Sequence, residues 1–420
     1  MKPASEEGLT VQPITSVEHA EGCGIPGALS ACVSLDFVIP IVHGPTSCQS
    51  GYRYVPLLAG KVPLVPTTSL EDIDIALGSW GKLTRAVETI RNRYHPRVIL
   101  VLLTCTSSIS SEVAPDLVRR ISDPSCVVKV VDASGIECTE SEGFRRAYEA
   151  LRDALSNLFD SDRQTNEAEH PCCGVFLDGF AATDYSADAD YAALALTVED
   201  AFGLSCVGGF PYPFTLRLGT CYLRAPTIMC GRVALPEPDL ASKNRVLPGL
   251  MAPVGPQLIE EWVTTLGEAL ATPLLGGFKQ RLERLRRDTI LLRKRLSGAR
   301  VFIEGDLWRA LALGRFFTRE LNMDVGLSLP REAFREIGES AESEFEEVLY
   351  DLGGYSLVSR IRRFRPHLVF GSSYTNGQDW AWVAMSQPVW DDSASVGATI
   401  GLRGTENLIG FLSQRFLGGV

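Results

Sequence analysis

The chain has 420 residues, 45% hydrophobic and 22% charged, with a formal net charge of −11. That acidic balance excludes a general nucleic-acid binder, which needs a basic face. The length exceeds one ordinary core, so two or three domains are expected.

Residues 1–12 are polar and acidic, which predicts no signal peptide, and no long uninterrupted apolar run predicts a spanning helix. A cytoplasmic protein that does not enter a membrane is expected. In a reducing compartment the 11 cysteines should be buried thiols, metal ligands or reactive groups rather than a disulfide framework.

In chain order, Val38–Val42 reads as a strand, followed by the buried strands Val98–Leu103 (VILVLL) and Val127–Val131. Phe144–Leu158 has helical period, and the polar run Asp160–His170 (DSDRQTNEAEH) reads as a linker. Gly174–Leu177 is the next strand. A long charged helix, about Gln257 to Leu296 and interrupted at Pro273–Gly277, separates the middle from the last third. Its basic stretch, Lys279 to Arg295, reads as a solvated helix face. Val301–Ile303 and Leu368–Phe370 are strands, with the helical stretch Trp308–Leu321 between them. Strands alternating with helices predict an α/β chain: three Rossmann-like domains with parallel sheets flanked by helices. The expected domains are 1–160, 170–275 and 296–420.

Three cysteines stand in turns where ligands are placed. Cys23 lies in a Gly-rich turn, Glu21–Ala31 (EGCGIPGALSA). Cys48 follows the Gly-Pro turn of His43-Gly44-Pro45-Thr46-Ser47-Cys48, which opens a helix, where N–H groups favour a thiolate. Cys105, in Thr104-Cys105-Thr106, sits at the carboxyl end of Val98–Leu103, the end at which open α/β sheets bind ligands. Three thiolates are one short of a complete four-iron set, which points to a cluster completed by another chain. The plainer alternative is that each cysteine is a small buried hydrophobe. Cys32, Cys126, Cys138, Cys206, Cys221 and Cys230 read as core, and adjacent Cys172-Cys173 seldom both bind one metal. His43 either orients the Cys48 loop or is a satisfied structural histidine. Gly78–Leu83 (GSWGKL) looks like a phosphate loop, but its spacing is wrong and Leu83 offers no hydroxyl, so ATP binding by that route is not expected.

CGIPGALSA, HGPTSC and LLTCTSSISSEV resemble the cluster-binding elements of the nitrogenase component 1 superfamily. Cys48 follows Cys23 by 25 positions, a spacing similar to the family's. Thr68–Ile90 and Val131–Gly143 are similar to the segments that accompany those cysteines. The likeness implies that Cys23, Cys48 and Cys105 bind an interface iron–sulfur cluster, either a P-cluster-like eight-iron group or a four-iron, four-sulfur one. The strand end Asp178–Thr183 has no Cys and Gln387–Gly397 has no His, the two ligands the family's α-type subunits give an active-site metallocofactor. Gly371–Tyr374 and Pro388–Gly404 resemble the β-type. The resemblance therefore implies a β-like subunit, paired as α2β2 with an α-like chain that carries the metallocofactor. It also implies a transient iron-protein ATPase as the electron source. Among family members the chain looks most like the methylthio-alkane reductase subunit. The alternatives are a cofactor-assembly scaffold and a plain α/β binding module without a cluster.

Overall fold

The computed structural model describes residues 23–50, 64–110, 121, 125–136, 138–165, 174–233, 245–246, 251–330, 333–337, 343–350, 354–372, 375–377, 379–385 and 396–417. Strands β1 (Val38–His43), β2 (Val98–Leu103) and β3 (Val127–Asp132) form the first sheet in that order. β4 (Gly174–Asp178), β5 (Ser205–Gly208), β6 (Thr227–Met229) and β7 (Arg245–Val246) form the second, in the order β5-β4-β6-β7. The third holds β8 (Arg300–Glu304), β9 (Asp324–Leu329), β10 (Glu347–Tyr350), β11 (Leu368–Gly371) and β12 (Ala381–Ala384), in the order β10-β9-β8-β11-β12. All of these strand pairs are parallel. The chain is thus an α/β protein of parallel sheets flanked by helices.

The reason lies in the strand sequences. Val98–Leu102 is fully buried and rich in branched residues, as a strand covered on both faces must be. Parallel pairing sends every carboxyl end of a sheet the same way, so β1, β2 and β3 deliver His43, Leu103 and Asp132 to one edge.

The helix Gly24–Cys32 is buried along its whole length. It lies against the helix Glu140–Thr165, and glycines permit the approach. A Cβ on Gly27 would stand 1.7 Å from the Glu140 carbonyl oxygen, and one on Gly143 would stand 2.0 Å from the Gly24 carbonyl oxygen.

The polar run read as a linker is helical through Thr165, and residues 166–170 lie outside the described residues. A helix already nucleated by an amphipathic stretch extends cheaply into polar residues. The charged stretch divides as read, into Gly255–Ala269 and Gly276–Leu296. Phe278, Leu282, Leu285, Leu292 and Leu296 form the buried face of the second helix, while Arg281 and Arg286 pair outward with Asp200 and Glu260. The helix Leu307–Arg315 ends in a π-turn, Phe316–Glu320, and begins with the Asp306 carboxylate accepting from the Arg309 N–H at 3.0 Å.

The middle sheet shares core with both neighbours. Phe176 and Met229 pack with residues of the first sheet, whereas Val175 and Leu177 pack with the third. A buried ion pair, Arg309 to Asp190 at 3.0 Å, joins the third unit to the middle one. Asp190 also accepts the Thr399 N–H at 3.1 Å.

Candidate metal centre

Each of the three cysteines singled out in the sequence opens a turn of helix at the carboxyl edge of the first sheet. Cys23 precedes the helix Gly24–Cys32, and its backbone bridges Thr139. Cys48 lies in the short helix Ser47–Ser50, reached from β1 through a turn closed by its N–H on the Pro45 carbonyl at 3.1 Å. Cys105 is the first residue of the helix Cys105–Ser110, directly after β2 and Thr104. All three are half-buried and free of disulfide bonds.

Cys23 and Cys105 lie near enough to Cys48 to act on its thiol. Burial pushes the Cys48 thiol up, and the neighbouring Cys23 and Cys105 push it further, against a lowering hydrogen bond from Ser47. Negative charge on its neighbours disfavours ionisation of Cys48, and a positively charged centre would relieve that. Gly135 leaves the space between two of them clear. A Cβ on Gly135 would lie 2.8 Å from the Cys23 Cβ and 3.8 Å from the Cys105 Sγ. Among the described residues, no three His, Cys, Asp or Glu side chains are grouped to hold a single metal ion. Three cysteine sulfurs beside a space kept clear by glycine are soft donors of the kind iron–sulfur clusters take.

Hydroxyls tie the strand ends together. Ser107 Oγ donates to the His43 carbonyl at 2.6 Å and accepts from the Thr104 N–H at 2.9 Å. Ser108 Oγ donates to Asp132 Oδ2 at 2.5 Å, and the Ser134 N–H donates to Oδ1 at 3.0 Å. Burial raises the Asp132 carboxyl, but these bonds and Arg146 outweigh it and hold the group below the usual range. Residues 104–108 therefore link β1, β2 and β3 while presenting Cys105. Gly44 fits under Thr104, whose Oγ1 would stand 2.3 Å from an added Cβ.

His43 is the structural histidine of the two readings. It is fully buried, with Nδ1 3.0 Å from Thr68 Oγ1 and Nε2 3.0 Å from Ser79 Oγ. Ser79 belongs to the stretch that resembles a phosphate loop, so that stretch serves to seat His43. Cys32, Cys126, Cys138 and Cys230 are buried, as expected of core thiols, and Cys206 is half-buried. Cys138 comes closest to the trio, beneath Gly24, with its thiol pushed by burial to about 12. Cys221 departs from the expectation of free thiols: it is disulfide-bonded. It is half-buried in the short helix Gly219–Tyr222, and the two remaining cysteines, Cys172 and Cys173, lie outside the described residues.

Sequence reasoning missed a second polar centre, at the carboxyl end of β4. Asp178 is fully buried. Its Oδ2 accepts from Tyr148 at 2.6 Å and from Tyr222 at 2.5 Å, and its Oδ1 accepts the Phe210 N–H at 3.0 Å. Burial outweighs those bonds and raises its pKa to about 6. Rings of Phe176, Phe210, Phe214 and Tyr222 close around it.

The three parallel α/β units agree with the comparisons. The chain belongs to the nitrogenase component 1 type oxidoreductases, which it matches over residues 23–177 and 244–416. It is 26% identical over 370 residues to a light-independent protochlorophyllide reductase polypeptide of Methylocella silvestris, covering 84% of this chain and 70% of that one. It is 26% identical over 165 residues to the nitrogenase iron–molybdenum cofactor biosynthesis protein NifE of Mesorhizobium japonicum, covering 38% and 33%. The solved structure of nitrogenase Cp1 at pH 6.5 shares the fold, with a TM-score of 0.75 at 16% identity, covering 98% of this chain and 95% of that one. Among the described residues no helix is long and apolar enough to cross a membrane.

Proposed function

We propose that this chain is the β-like subunit of a cytoplasmic nitrogenase-like reductase and that Cys23, Cys48 and Cys105 hold its share of an interface iron–sulfur cluster. When bound, the cluster supplies one-electron transfer between an ATP-dependent iron protein and an active-site metallocofactor in an α-like partner. The chain's own residues do the positioning. Ser107, Thr104 and Asp132 fix the strand ends, and Gly135 keeps the space open.

The observation that carries the reading is the convergence of three half-buried thiols on one edge of the first sheet. The surface beside them supports a partner. The helix Asp72–Leu77 buries none of its residues and exposes Ile73 (58%) and Leu77 (80%). Ile109 (73%), four positions after Cys105, and Ile136, next to Gly135, are exposed as well. Apolar side chains flanking open ligands suit a docking face. The plugged end of β4 offers no open ligand for a metallocofactor, which suits a division of labour with an α-like chain, paired as α2β2. Methylthio-alkane reduction is the substrate reading that goes with a β-like chain keeping all three cysteines. The likeness to NifE favours a second reading, a cofactor-assembly scaffold.

Replacing each cysteine with Ala in a complex purified without oxygen tests the ligand set. Iron should fall in all three variants, and unchanged iron in all three would overturn the assignment. Release of thiol from a methylthio-alkane, dependent on iron protein and MgATP, separates the reductase from the scaffold. Aspartate at both Ile73 and Leu77 should abolish co-purification of the partner. A stable, fully metallated monomer would sink the interface reading.

A further inference from the structure

The amino-terminal end of the first sheet, away from the thiols, has a concavity of its own. A cavity of about 600 Å³ is lined by Asp36 and Arg97 beside the starts of β1 and β2, by Tyr94 and His95, and by Arg217 of the middle unit. A second cavity, of about 340 Å³, adjoins it through His95, Pro96 and Arg97 and adds Arg91. The larger one has the size of a small-molecule site.

Arginine outnumbers acid in it. The side chains of Arg97, Arg217 and His95 make no ion pair or hydrogen bond among the described residues. Elsewhere Arg145, Arg281, Arg300, Arg309 and Arg315 each meet a carboxylate. In an acidic chain with ample carboxylates, Asp36 is the one acid among the described residues lining the larger cavity, against Arg97 and Arg217. Arg91 and Arg93, in the last turn of the helix Trp80–Tyr94, also offset the negative end of that helix. Unpaired guanidinium groups gathered in one hollow favour an anion, and their planar donors match phosphate oxygens.

We propose that this groove binds a small phosphate-bearing molecule, its phosphate held between Arg97 and Arg217 and a hydroxyl or amine held by Asp36. Arg97 belongs to the first unit and Arg217 to the middle one, so the ligand would clamp the two together. The site does not depend on the thiols.

Titration calorimetry of the intact complex with inorganic phosphate and with glycerol 3-phosphate tests it. Saturable binding at one site per chain is expected for both. Arg97→Gln and Arg217→Gln, both exposed positions, should each weaken both probes about tenfold or more. Asp36→Asn should weaken glycerol 3-phosphate alone, and Arg415→Gln should change neither, with iron content unaffected throughout. Absence of saturable binding at about 10 mM, or unchanged affinity in both arginine variants, would overturn the proposal.

Discussion

The carboxyl ends of the first and middle sheets are built to the same plan and finished in opposite ways. At the first, β1 and β2 run out into turns that present Cys48 and Cys105, and Gly135 holds the space between thiols empty. At the second, β4 ends in Asp178, whose carboxylate oxygens are taken by two tyrosines and a backbone amide and enclosed by aromatic rings. An α/β sheet offers a crevice at its strand ends, and side chains decide whether it stays open. The open end is polar and rimmed by exposed isoleucines. The plugged end is a joint, because Tyr148 comes from the helix of the first unit and Asp178 from the middle sheet.

Filling the open end should have the largest effect. Gly135→Val puts a branched side chain against Cys23 and Cys105, and iron affinity should fall roughly 10–100-fold with the fold intact, as outer-shell changes do at metal sites. Iron analysis and circular dichroism on the same sample read this out. Normal iron would mean that the glycine does not shape the centre.

Opening the plugged end should cost stability and leave iron alone. Asp178→Asn mispairs the hydroxyls and should destabilise by about 1–3 kcal/mol at pH 4, where the native carboxyl is protonated. The pH dependence has a definite sign. The folded pKa of about 6 lies above the ordinary unfolded value of about 3.9, so the native state binds more protons between them. The wild type's advantage is therefore full below about pH 4 and is lost as pH rises through about 6. Melting temperatures of wild type and variant should converge across that window. A difference independent of pH would show that Asp178 does not titrate there.

The smallest effect belongs to a thiol outside both ends. Cys126→Ala, in the core beside β3, should leave iron unchanged and cost about 1 kcal/mol. Iron loss would mean that the trio is not the whole ligand set.

The open end could be read from sequence because its signals are local. Gly-Pro before Cys48, and Thr-Cys-Thr after an unbroken apolar strand, each predict their own turn. The plugged end could not be read. Asp178 meets Tyr148 and Tyr222, which are 30 and 44 positions away, and a lone Asp after a strand carries no trace of them. The fold was legible where strands are long and apolar, as in β2. It was hidden where they are short or interrupted, as in β6 (Thr227–Met229) and in β9, whose Gly326 gives way to the Phe302 ring. The helical run through Asp160–Thr165 was hidden too, since polar composition marks a linker only when no helix is already under way.

His43 has one more consequence, in the choice of metal. Three thiolates and one imidazole make a complete tetrahedral set for zinc, an abundant competitor that needs no assembly machinery. His43 stands at the end of β1, five positions before Cys48, yet both of its ring nitrogens are committed to the hydroxyls of Thr68 and Ser79. The buried ring is thereby withheld from coordination. The trio, which is not grouped to hold a single ion, gains no fourth ligand from that ring.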